Sequence, residues 1–201
     1  MTVQTITPIQ DFPNGYAWRI SVERYHAMIE TGILTPNDQV ELIDGLLIKK
    51  MSKKPPHTLA NQLASDLIAE HLPTGYFINT QEPVTLADSE PEPDLSVIVG
   101  RRRQYRNHHP TADAIELIVE VSLSTLSYDR TIKQRIYAAE GLPIYWIINL
   151  KENLLEVYSQ PTGPADEPRY RQVNLFSADD NVPLVINEAT VAMLPVWELL
   201  P

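Results

Sequence analysis

Three short apolar runs constrain this chain more than any other feature: DLSVIV (94–99), AIELIVEVS (114–122) and LPIYWIINL (142–150). Each is too short for a core helix, rich in Val and Ile, and apolar on both alternating faces, which is the pattern of strands buried within a sheet. Between the second and third lies SYDRTIKQRIYAAEG (127–141), a helical segment with Gly141 as its stop. Strands, helix and strand in that order predict an α/β domain with a mixed sheet flanked by helices. The same runs contain a contradiction. Glu120 lies deep inside the second, and Asp94 opens the first. A carboxylate among Leu, Ile and Val costs several kcal/mol to bury without a partner.

The remaining chain fills in around this centre. SVERYHAMIETGIL reads as a helix capped by Ser21, with Gly32 near its end and Val22, Tyr25, Met28 and Ile29 at helical spacing. DQVELIDGLLIKKM reads as two strands turning at Asp44–Gly45. HTLANQLASDLIAEHL (57–72) reads as an amphipathic helix with Leu59, Leu63, Leu67 and Ile68 as its stripe, ending before Pro73. YFINTQEPVTL forms a strand or strand pair about Pro83. NLLEVYSQ (153–160) alternates like a hairpin partner, and RYRQVNLF and VPLVI read as extra peripheral strands.

The length of 201 residues suggests one domain. No cysteine is present, which excludes disulfides, zinc–thiolate centres and a Cys nucleophile. No apolar run reaches the roughly 20 residues of a membrane helix. The start MTVQTITPIQ lacks a basic region followed by an apolar stretch. A cytoplasmic protein without membrane contact is expected. The sequence shows no P-loop, Gly-rich dinucleotide motif or Ser-His-Asp signature.

The acids supply the candidate chemistry. Asp94 stands at a strand mouth, and Glu120 shares a strand face with Ile118 and Ser122. No Lys or Arg adjoins Glu120 in sequence. A divalent metal shared with Asp94 would compensate it, since hard ions take carboxylate oxygens, water and phosphate. Asp129, Lys133 and Tyr137 follow at i, i+4 and i+8 on one helix face, so Lys133 can reach toward Glu120. Arg130 and Gln134 lie on adjacent faces within reach of substrate. The net charge of −10 argues against a nucleic-acid binder when taken alone, but RRRQYR (101–106) concentrates four arginines locally.

Pro93–Asp94 opening one strand, followed by an acid in the next and a nearby lysine, resembles the PD-(D/E)XK nuclease superfamily. The lysine two residues after the acid in that pattern is replaced by Ser122, and Lys133 is the natural substitute. A fuller similarity covers VELIDG (40–45), PPH (55–57), EPDLSV (92–97) and IVEVSLSTLSYDRTIKQRIYAAEGLPIYWIIN (118–149). These blocks, in this order, resemble the Uma-type family of putative restriction endonucleases. The resemblance implies a restriction-endonuclease-like fold, with a core over about 38–160 and the N-terminal helix and C-terminal strands as extensions. It implies hydrolysis of phosphodiester bonds, with Glu41, Asp94, Glu120 and Lys133 as the catalytic set. Asp94, Glu120 and the carbonyl of Val121 would hold Mg²⁺, or Mn²⁺, and Glu41 could ligate a second ion. DNA is the expected substrate and a homodimer the expected assembly. The alternative is a catalytically inactive nucleic-acid-binding or protein-interaction module that kept the fold.

Each residue also has a plainer reading. Asp94 could cap a turn, Glu120 could pair with Arg130 or Lys133 without metal, and Asp44 reads as a turn residue. His57, Ser122, Arg101, Arg102 and Gln134 are the candidate substrate contacts. His57 could equally be a helix N-cap, Arg101 to Arg103 could grip phosphates or solubilise a loop, and His108 and His109 read as surface residues. Ser124 and Ser127 are expected to cap the following helix. Tyr145 and Trp146 read as core or interface, and YWII and VAMLPVWELL are the candidate sticky surfaces for a dimer.

Overall fold

Six strands form the central sheet in the order β3-β4-β5-β6-β7-β8, in a computed structural model that describes residues 18–201. The segment MTVQTITPIQ lies outside the described residues. The strands are β3 (Tyr76–Thr80), β4 (Leu95–Val99), β5 (Ile115–Ser122), β6 (Ile144–Asn149), β7 (Leu154–Pro161) and β8 (Tyr170–Ser177). All neighbours pair antiparallel except β5 and β6, which are parallel. That exception follows from the helix between them, because a parallel pair requires a crossover. The restriction-endonuclease-like α/β expectation holds.

Both faces of the sheet are covered, which is why its central strands are apolar at nearly every position. On one face Leu95, Val97, Leu117, Val119, Val121, Trp146 and Ile148 pack against helix α2 (Pro55–His71) and the hairpin β9 (Asn181–Ile186) and β10 (Ala189–Pro195). On the other, Ile98, Ile118, Tyr145 and Ile147 meet Ile136 and Tyr137. Glu120 alternates with Val119 and Val121 and so falls on this second face. Helix α1 (Val22–Glu30) and the hairpin β1 (Val40–Ile43) and β2 (Leu46–Lys49) lie outside the sheet. The hairpin turn is the two-residue Asp44–Gly45, both with positive φ. A Cβ on Gly45 would lie 2.6 Å from Arg19 Cβ.

Several expectations need correction. The buried stripe of α2 is Ala60, Ala64 and Ile68, while Leu59 is 46% exposed. Small side chains at i and i+4 let the helix sit close to the sheet, so the leucines flank the contact instead of making it. In α1, Val22 and Tyr25 are buried, but Ile29 is exposed. The single helix expected over 127–141 is three pieces: a helical turn α3 (Leu126–Tyr128), a π-helical turn (Asp129–Lys133) and α4 (Gln134–Ala139). Its N-cap is Thr125, with no side-chain cap bond, so Ser124 and Ser127 do not cap it. YWII cannot be a dimer surface: it belongs to β6, an interior strand whose Tyr145, Trp146, Ile147 and Ile148 are buried. Of the C-terminal segment, Leu194, Val196 and Leu199 join the core, whereas Met193 and Trp197 are exposed. No described helix is long and apolar enough to cross a membrane.

Candidate active site

Five ionisable side chains are buried together where β4, β5, the π-helical turn and β1 converge: Glu41, Asp94, Glu120, Asp129 and Lys133. Four are acids and one is a base. Glu41, Asp94, Glu120 and Lys133 were picked out from sequence; the structure gathers all four around one pocket of about 320 Å³.

Each is positioned by its element. Glu120 projects from mid-β5 toward the helical layer. Its Oε1 accepts from Lys133 Nζ at 2.8 Å and Tyr137 OH at 2.8 Å. Lys133 Nζ also lies 3.5 Å from Glu41 Oε2, which accepts from the Glu92 N–H at 3.1 Å. Asp94 immediately precedes β4. Its Oδ2 accepts from the Val121 N–H at 2.9 Å and lies 3.0 Å from His57 Nε2. The π turn brings both Asp129 and Lys133 inward, and such turns recur where a helix must aim functional groups. The helix is tied down on its outer side by Arg130, which donates to Glu156 Oε1 at 2.7 Å. Glu156, in turn, accepts from Asn149 and Tyr158.

The electrostatics follow from burial. Desolvation pushes the Glu120 carboxyl up to about 8, against the pull of Lys133 and with further push from Asp94 and Asp129. Asp129 is likewise raised, chiefly by burial. Burial also pushes Asp94 up, but His57, the Val121 N–H and Lys133 outweigh it and hold the carboxyl below its ordinary range. Lys133 is pulled down by burial, yet Glu120 and Glu41 hold its ammonium pKa well above the ordinary value. Lys133 and, at Asp94, His57 face these four buried acids.

The donor set suits a hard cation. Asp94 and Glu120 offer carboxylate oxygens, and Val121 lines the same pocket. Both hydrogen bonds to Glu120 fall on one oxygen, Oε1. Two buried polar atoms at the pocket, His57 Nδ1 and Tyr128 OH, have no hydrogen-bond partner among the described residues. Among those residues no three His, Asp or Glu side chains converge on a single point. An ion here would therefore depend on main-chain oxygen and water beyond the two carboxylates.

The other candidates divide. His57 is in the pocket, as the third residue of α2 and not its N-cap, and its ring is bonded to Asp94. Ser122 is fully buried, donates to Asp129 Oδ2 at 2.5 Å and does not line the pocket. Gln134 does not line the pocket, and Arg130 is committed to Glu156. Arg101 and Arg102 lie past the opposite end of β4 and are not part of this site. Asp44 is a turn residue, as expected, paired with Arg19 and Arg135.

One element escaped the sequence reading altogether. Lys49, Lys50, Lys53 and Lys54 line the pocket beside the acids. In the sequence Lys49 and Lys50 read only as the end of a strand pair, and Lys53 and Lys54 only as part of KKPP, a break in the chain. Their signal was the spacing of the two lysine pairs just before a helix start, which concentrates positive charge there.

Comparison with known proteins agrees with this architecture. A family model described as "Putative restriction endonuclease" (Uma2) matches residues 22–193. The chain is similar to a solved structure from Anabaena variabilis described as a "putative nuclease belonging to DUF820". The two share 19% identity with a TM-score of 0.63, over 85% of this chain and 94% of the other. No curated protein matches the chain.

Proposed function

The chain belongs to the Uma2 family of putative restriction endonucleases, and on that premise we propose that its acidic pocket hydrolyses phosphodiester bonds of DNA with a divalent metal ion. The observation that carries this is the gathering of four buried acids, Glu41, Asp94, Glu120 and Asp129, about Lys133 at one pocket, where burial outweighs the lysine and lifts the Glu120 carboxyl up to about 8. Asp94 and Glu120, with the carbonyl of Val121, would hold Mg²⁺ or Mn²⁺. Bound there, such an ion supplies an acidified water and polarises the phosphate. Glu41 stays close enough to Lys133 to fix its ammonium between two carboxylates. Lys133 then faces the charge that develops on the phosphoryl oxygens, where a preorganised cation in a desolvated site is most effective. His57 steadies Asp94, and the rim of Lys49, Lys50, Lys53 and Lys54 receives the flanking phosphates. Cutting both strands of a duplex would need two such pockets, so a homodimer is part of the proposal.

A second reading, a binding module that does not cleave, has one observation in its favour. No three ligating side chains converge on a point among the described residues, and Asp94 and Glu120 already have protein partners. Plasmid DNA incubated with Mg²⁺ or Mn²⁺, beside Asp94→Ala and Lys133→Ala, separates the two. Metal-dependent nicking lost in both variants supports the nuclease. Wild-type protein that neither nicks DNA nor gives heat on metal titration leaves only the binding module.

A further inference from the structure

A second cationic surface lies at the other end of β4, about 20 Å from Asp94 at ~3.3 Å per strand residue. Arg101, Arg102, Arg103 and Arg106 occupy the loop and single 3-10 turn (Arg102–Tyr105) that follow Gly100. Together with Lys49, Lys50, Lys53 and Lys54 they make up half of the 16 Lys and Arg residues in a chain of net charge −10. Unlike Arg19, Arg130 and Arg135, none of these four arginines forms an ion pair among the described residues.

The loop is built, not loose. Gly100 has φ +98°, and a Cβ there would meet Gln104 Oε1 at 2.2 Å; that oxygen instead accepts from the Arg101 N–H at 2.6 Å. Tyr105 OH donates to the Val99 carbonyl at 2.8 Å. Arg102 donates to the Ile78 carbonyl at 2.6 Å and to Asn79 Oδ1 at 3.1 Å, with its guanidinium 4.8 Å from the centre of the Phe77 ring. These bonds fasten the turn to β3, the outermost strand of the sheet. They leave Arg101, Arg103 and Arg106 exposed.

A groove of about 440 Å³ runs along this β3 edge from Phe77 and Tyr105 to Thr80 and Glu82. Gln81, between Thr80 and Glu82 at its far end, links this edge to the acidic pocket: it donates its main-chain N–H to the Asp94 carbonyl at 3.1 Å, and its side-chain amide donates to Asp94 Oδ1 at 3.4 Å. From Phe77 to Gln81 is about 13 Å of strand.

We propose that the β3 edge and the arginine turn form a track that grips the backbone of the same nucleic acid whose phosphodiester enters the acidic pocket, so that substrate is held at two points. This rests on the nuclease reading above. The track reads charge and not sequence, because guanidinium groups on phosphates position a strand without distinguishing bases.

The test is equilibrium binding of the full chain to fluorescent single- and double-stranded oligonucleotides by anisotropy, with EDTA present so that nothing is cleaved. Arg103→Glu/Arg106→Glu is compared with wild type after both show the same circular dichroism and melting. Wild type should bind an oligonucleotide of about 20 residues far more tightly than one of about 4, because only the longer spans both cationic regions. The variant should lose at least ~10-fold on the long oligonucleotide, little on the short one, and its salt slope should fall by about 2, near 0.9 per phosphate. A milder Arg103→Gln/Arg106→Gln variant should fall between them. A variant that binds the long oligonucleotide as wild type does, with the same slope, overturns the track alone. Wild-type protein that binds neither length overturns the nuclease reading with it.

Discussion

Replacing Glu120 by Gln should make the protein more stable at alkaline pH while removing its metal site. Burial raises this carboxyl from an ordinary 4.5 to about 8 in the folded chain. At ~1.4 kcal/mol per pH unit that displacement is worth about 5 kcal/mol. The sign follows from proton counting. Between those values the folded state holds a proton that the unfolded state has lost, so the wild type loses stability as pH rises through this window. Below it both states are protonated, and Gln mimics the protonated acid. Urea unfolding should therefore show the two proteins equal near about pH 4.5 and the variant ahead by several kcal/mol near about pH 9. A divalent ion at a hundred times its Kd should stabilise wild type by about 2.7 kcal/mol and leave the variant unmoved. A difference that stays constant with pH, or a variant weaker than wild type at pH ~9, refutes the account of Glu120 as a carboxyl whose burial outweighs its pairing with Lys133.

Other perturbations probe the neighbours. Lys133→Met should lower DNA cleavage by at least ~100-fold with metal binding retained, read by plasmid nicking and calorimetry side by side; equal loss of both would mean that the lysine only supports the fold. Tyr137→Phe removes a buried donor to Glu120 and should cost about 1.5–3 kcal/mol in urea unfolding at about pH 9, where Glu120 is charged. Arg130→Ala strands the buried Glu156, and since the arginine is itself 37% exposed the loss should be about 2 kcal/mol, below that of a fully buried pair. An Arg130 variant as stable as wild type would show that Asn149 and Tyr158 suffice to hold Glu156.

The sheet and its acids were legible in the sequence because strand alternation and burial act locally. A run apolar at every position can only be covered on both faces, and an acid within it must find a partner. Asp94, Glu120 and Lys133 could be nominated from spacing along β4, β5 and the helix that follows. What spacing could not supply was the partner of each group across space. Ser122, near enough in sequence to serve a metal, turns its hydroxyl to Asp129. Arg130, one helical turn from Lys133 and equally able to reach a substrate on paper, is captured by Glu156 of β7. The π turn was invisible because it depends on packing against the sheet and not on any residue's own preference. Lys49 to Lys54 became part of the pocket only when the hairpin and α2 met there. Local sequence set which elements form and which face each side chain takes; tertiary packing decided which charges stand within 3 or 4 Å of one another, and electrostatic interaction depends on that distance and on the water excluded from it.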